Sequence, residues 1–116
     1  MGRGNIGNVP DSILTEKDND TEVEVPVGTQ VRINLPENPT TGYQWNVCDL
    51  KSEALALKSD DYVPGHPTAI GGGGIRQFVF DVTSPGKTKL CLKNMRAWEG
   101  EESAVKTFAV TILAGG

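Results

Sequence analysis

The sequence predicts an all-β fold, an antiparallel β-sandwich, and three observations carry that prediction. Apolar and polar residues alternate with a period of two along most of the chain, the pattern of strands buried on one face. Turn residues interrupt the alternation at short intervals, at Pro26-Val27-Gly28, at the glycines 71–74 and at Ser84-Pro85-Gly86. No stretch keeps helical spacing for long. About seven or eight short strands in one domain, with Trp45 on the third main strand where such sandwiches often bury one, match an immunoglobulin-like sandwich.

The elements follow in order. Residues 1–11, MGRGNIGNVPD, are rich in Gly and Asn without apolar period and read as a flexible N-terminal tail; residues 12–116 read as a single domain. A short run at Ile13-Leu14 opens the ordered part. Thr21, Val23 and Val25 then alternate with Glu22 and Glu24, and Val31, Ile33 and Leu35 alternate with Arg32 and Asn34. Further strands are expected at Tyr43 to Cys48, Ala54 to Lys58, Ile75 to Val82, Lys87 to Lys93 and Val105 to Leu113.

This order of strands has a consequence for where function sits. Consecutive strands of an antiparallel sandwich reverse direction, so alternate connections emerge at the same end. Connections 36–42, 59–74 and 94–103 therefore share one end: one stiffened by proline, one long and glycine-rich, one carrying Trp98. The connections at the other end are short and ordinary. Function is expected at the unusual end.

Bulk properties exclude several classes. With 11 basic and 15 acidic residues in 116, the net charge is −4, which argues against a nucleic-acid partner. No apolar run approaches the roughly 20 residues of a membrane span, and the first residues lack the apolar block of a secretory signal. A cytoplasmic address is expected, or a lysosomal or secreted one if a leader has been trimmed. Met1-Gly2 does not continue as a myristoylation signal, since Ile6 stands where Ser or Thr is needed. The sequon Asn19-Asp20-Thr21 matters only in a secreted chain.

Candidate catalytic groups are sparse. His66 is the single histidine, set between Gly65 and Pro67, so no metal pair or catalytic dyad forms around it and it reads as a solvated loop residue. Cys48 and Cys91 lack CxxC spacing and fall on the outer face of neighbouring strands, where they would bridge on oxidation or stand as thiols; thiols are the favoured reading. The GGGG run at 71–74 lacks the Lys and helix start of a phosphate loop. It is either a floppy turn or a side-chain-free backbone that can lie against another protein. Glu99-Gly100-Glu101-Glu102 lacks the oxygen spacing of a calcium loop. The chain reads as a monomeric non-enzyme with no cofactor or metal.

Two segments suit recognition better than catalysis. In Asn38-Pro39-Thr40-Thr41-Gly42, Pro39 fixes its own φ and pushes Asn38 toward extended geometry, while Gly42 permits angles that a Cβ resists. Trp98, outside any alternating strand, is either a cap on the core or an exposed anchor for a partner, and Arg96 is a second residue type enriched in such anchors.

Taken together, NPTTGYQW at 38–45, the glycines 71–74 and RAWEG at 96–100 resemble the chagasin family of inhibitors of papain-like cysteine peptidases, over residues from about 13 to 113. The resemblance implies an immunoglobulin-like sandwich whose BC, DE and FG loops, here the connections 36–42, 59–74 and 94–103, form a tripartite wedge that fills the peptidase cleft. By position it implies that Asn38, Pro39, Thr40, Thr41 and Gly42, with Tyr43 beside them, enter the centre of the cleft. Gly71, Gly72, Gly73 and Gly74 would pair backbone to backbone on one side, and Arg96 and Trp98 would grip the other. Ala97 stands where the family usually has Pro, and the 94–103 loop is therefore expected to be looser in the free protein. The competing reading is an immunoglobulin-like adhesion or assembly module that would bind through a sheet face or edge.

Overall fold

The computed structural model describes residues 12–38, 41–48, 53–64 and 73–115. Eight strands follow one another: β1 (Ser12–Leu14), β2 (Thr21–Pro26), β3 (Gln30–Glu37), β4 (Gln44–Val47), β5 (Leu55–Pro64), β6 (Gly74–Val82), β7 (Gly86–Met95) and β8 (Lys106–Gly115). They form two four-stranded sheets in the orders β1-β3-β6-β5 and β2-β8-β7-β4, packed as the expected sandwich. Pairing is antiparallel for β3–β6, β5–β6, β4–β7 and β7–β8, but β1–β3 and β2–β8 run parallel. Both parallel pairs lie where a strand from the start of the chain adds to the outside of a sheet. The tail expected at 1–11 lies outside the described residues.

The period-two pattern is realised on the inner faces. Val31, Ile33 and Leu35 of β3, Phe78 and Phe80 of β6, Leu90 and Leu92 of β7, and Phe108, Val110 and Ile112 of β8 are buried between the sheets. Side chains of this kind each contribute about 1.5–3 kcal/mol on burial, so this two-sided layer is the main support of the fold. Trp45 joins it at 2% exposure, as its place on the third main strand predicted, and its indole N–H donates to Pro36 O at 2.9 Å.

One boundary differs from expectation. The strand expected to end at Lys58 continues to Pro64, so the connection after it is 65–73 and not 59–74. Leu57 pairs with Phe80 but Ser59 pairs with Val79, and Lys58 is the extra residue of a β-bulge. A bulge shifts the alternation by one, which hides the second half of the strand from a period-two reading. The charged Asp60 and Asp61 also suit an edge strand, which β5 is.

At the end away from the unusual loops, short connections are tied to one another. Gly28 N–H donates to Val82 O at 2.8 Å, Val82 N–H to Thr29 O at 2.9 Å and Thr83 N–H to Ala54 O at 2.8 Å. Cys48 N–H donates to Cys91 O at 2.9 Å, so the two cysteines face each other across β4 and β7, half-buried and as thiols.

Candidate functional site

The loop between β3 and β4 is closed by one threonine. Asn38 O accepts from Thr41 N–H at 3.2 Å and from the Thr41 hydroxyl at 2.8 Å, and the same hydroxyl accepts from Tyr43 N–H at 3.2 Å. A side chain that bonds the backbone on both sides of itself fixes Asn38, Thr41 and Tyr43 relative to one another. Pro39 and Thr40, named with Thr41 from the sequence, lie outside the described residues, as do Gly71, Gly72 and His66.

Gly42 is required twice over. Its φ of +81° is a left-handed conformation that a side chain resists, and a Cβ built there would stand 2.7 Å from Cη2 of Trp98. The indole of one loop thus lies against the backbone of another. Trp98 is nevertheless 73% exposed, so it is not a cap on the core. A ring this open costs solvation unless a partner covers it.

Arg96 locks the same two loops together. Its guanidinium lies 4.4 Å from the centre of the Tyr43 ring, its Nη2 reaches Thr41 O at 3.4 Å, and its Nη1 is 3.6 Å from a Glu99 carboxylate oxygen. The Nε–H has no hydrogen-bond partner among the described residues. The 96–105 loop has its own brace. Ser103 Oγ accepts from Arg96 N–H at 2.9 Å and donates to Gly100 O at 2.7 Å, and Val105 N–H closes the base on Asn94 O at 2.9 Å. These bonds supply restraint where the missing proline at Ala97 was expected to leave the loop loose.

Of the glycine run, Gly73 and Gly74 are described, and Gly74 is the first residue of β6, paired with Glu37 and Pro64. A Cβ on Gly73 would meet nothing closer than 3.9 Å, an ordinary contact, so packing within the chain does not demand glycine there. Residues of all three connections border one open, mainly apolar hollow of about 780 Å³, with Tyr43, Val63, Ile75 and Val105 among those on its wall. The loops that parity placed together are together.

Two residues at this end were not singled out from the sequence. Glu37, the last residue of β3, is buried at 4% exposure. Its Oε1 accepts from Trp45 N–H at 2.7 Å, and its Oε2 accepts from Arg76 Nε at 3.1 Å and Nη2 at 2.7 Å. Arg76 Nη1 reaches Asp60 Oδ1 at 2.9 Å, and the guanidinium lies 5.8 Å from the Tyr62 ring centre. Burial lowers the affinity of Arg76 for its proton, but hydrogen bonds and charge from Glu37 and Asp60 together outweigh it and raise the pKa above its ordinary value. The sequence held a signal for Glu37: it continues the inward series 31, 33, 35 with a charge.

Among the described residues no group of His, Cys, Asp or Glu could hold a metal ion. What the end of the sandwich offers is a stiff loop, a glycine backbone and an exposed indole, all held on a rigid frame.

Comparison with known proteins agrees with that character. The family model described as "Chagasin family peptidase inhibitor I42" matches residues 24–112. Chagasin of Trypanosoma cruzi is 30% identical over 105 residues, covering 87% of this chain and 96% of that protein. Among solved structures, a cysteine protease inhibitor from Entamoeba histolytica superposes with a TM-score of 0.81 at 25% identity, covering 90% of this chain and 96% of the other. PbICP-C, solved in complex with falcipain-2, superposes with a TM-score of 0.64 over 97% of this chain and 96% of its own; at 18% identity that likeness is one of fold alone.

Proposed function

The chain belongs to the chagasin family of cysteine peptidase inhibitors, and we propose that it is a reversible, tight-binding, competitive inhibitor that fills the cleft of papain-like peptidases with its 38–43, 65–73 and 96–105 loops. It is an inhibitor and not an enzyme. The observation that carries the loop assignment is Trp98: an indole 73% exposed, lying against Gly42 and flanked by an Arg96 that joins two loops.

The mechanism follows from stiffness. Cleavage needs a carbonyl held near the nucleophilic thiolate and aimed at the oxyanion donors, and a loop whose backbone is already bonded to itself does not relax into that pose. The Asn38 carbonyl is engaged by Thr41 and the Thr41 carbonyl by Arg96. The central loop therefore occupies the cleft without being a substrate. Gly73 presents backbone with no side chain to obstruct approach, Gly74 beside it being already paired between β3 and β5, and Trp98 covers apolar surface on the opposite flank. Because the sandwich fixes the loops beforehand, little ordering entropy is lost on docking.

The test is a titration of papain with the protein, beside a variant carrying Thr40→Ala, Thr41→Ala and Trp98→Ala. Stoichiometric competitive inhibition, weakened at least about a hundredfold in a variant that still folds, is the expected result. Full activity of papain and of a cathepsin L-like enzyme at micromolar inhibitor would overturn the reading and favour the adhesion module.

A further inference from the structure

We propose that the Glu37–Arg76 ion pair is a positioning node for inhibition, setting the stems of the 38–43 and 65–73 loops relative to each other; this rests on the inhibitor reading above. Its location is the first reason. Glu37 immediately precedes the central loop, Trp45 follows it by two residues, and Arg76 stands two residues after the glycine run. One carboxylate bonds both stems of the central loop and, through Arg76, the downstream stem of the glycine loop. Asp60, on the strand that leads into the glycine loop, completes the chain of contacts at 2.9 Å.

The node also joins the two sheets. β3, β5 and β6 lie in one sheet and β4 in the other, so the Glu37 to Trp45 bond is a strap across the open end of the sandwich. Trp45 N–H points to this carboxylate and not into the ladder with β7, where Asn94 O is engaged by Val105. Without the carboxylate a buried donor would be orphaned.

Stability alone does not call for this device. Glu37 is the one charged residue fully buried among the described residues, its side chain 1% and that of Arg76 12% exposed. A neutral glutamine would keep an acceptor for Trp45 N–H without desolvating a charge, and buried ion pairs are often no more stabilising than uncharged replacements. What the ion pair has that a neutral amide lacks is a two-pronged direction. Two guanidinium nitrogens on one carboxylate fix distance and angle together. Loop stems held in that way leave less of the chain to order when a peptidase docks.

The test uses Arg76→Lys, which keeps the charge and loses the fork, and Glu37→Gln, which keeps an acceptor for Trp45 N–H and loses the charge. Three readouts are taken on each: the urea midpoint, the inhibition constant against papain, and hydrogen exchange of free-protein amides. For both variants the expected result is exchange at Thr41, Tyr43 and Trp45 faster by about tenfold or more, with Leu90 and Val110 unchanged, and inhibition weakened by about tenfold.

Two results overturn the proposal. One is unchanged loop exchange and unchanged inhibition in folded variants; the other is a loss of inhibition that only parallels a fall in the urea midpoint and in core protection. If the wild-type protein fails to inhibit any papain-like enzyme, the inhibitor reading falls and takes the proposed role with it. Selective loop exchange in the variants would then mark the node as structural only.

Discussion

At the scale of single residues, the proposed site depends on two small residues, Gly42 and Thr41, whose work is internal. Gly42→Ala would place a methyl at 2.7 Å from the Trp98 ring while the backbone sits at φ +81°, so the indole must move or the loop must. The expected outcome is a loss of about 1–2 kcal/mol from the strained backbone, read in urea, and a shift in Trp fluorescence. Papain inhibition should weaken more than that fall in stability accounts for. An unchanged spectrum and inhibition constant would show that the close approach is not used. Gly42 was legible from the sequence, because a stiff loop needs a residue free of Cβ strain. Thr41 was legible only as a contact. That its hydroxyl ties Asn38 to Tyr43 depends on three backbone positions at once, and no residue type announces such a bond.

At the scale of elements, the legible parts were those with an unbroken period. β3 and β6 were plain in sequence because nothing interrupts their alternation, whereas β5 was cut short at Lys58, where one extra residue reverses which side chains face in. The 96–105 loop shows the converse: a departure from the family pattern, Ala97, suggested looseness, and Ser103 some six residues away provides the restraint. The same geometry yields a prediction. Arg96 has ψ of 114°, the extended geometry that a following proline requires, and Ala97 opens a short helical turn, where a missing N–H leaves no acceptor unfilled. Ala97→Pro should therefore fit without strain and stabilise the protein by about 0.4–1 kcal/mol through the unfolded chain. The thermal midpoint should rise by a few degrees and papain inhibition should hold or tighten. A lowered midpoint would mean that the loop needs a freedom at position 97 that proline removes.

At the scale of the molecule, the parity of an antiparallel sandwich is enough to place three distant loops at one end from sequence alone, since direction reverses with each strand whatever the side chains are. The two added parallel strands leave that rule intact because β1 and β2 precede the first of these loops and lie at sheet edges. Such a plan separates the groups that hold the fold from those proposed to bind. Phe80 is fully buried and lies on one of the two inner strands of its sheet, 6.4 Å ring to ring from Phe78, while Trp98 touches solvent over most of its surface. Phe80→Ala should cost about 3–5 kcal/mol in urea unfolding and leave the inhibition constant of the folded fraction within about twofold of wild type. Trp98→Ala should do the reverse, shifting the urea midpoint little and weakening inhibition by about a hundredfold, as loss of an interface anchor does. Both are read on the same preparations, with active-site titration correcting for any unfolded inhibitor. Should Phe80→Ala loosen binding as much as Trp98→Ala, the frame and the loops would be one cooperative unit. Preorganisation would then extend through the core and not stop at the loop stems.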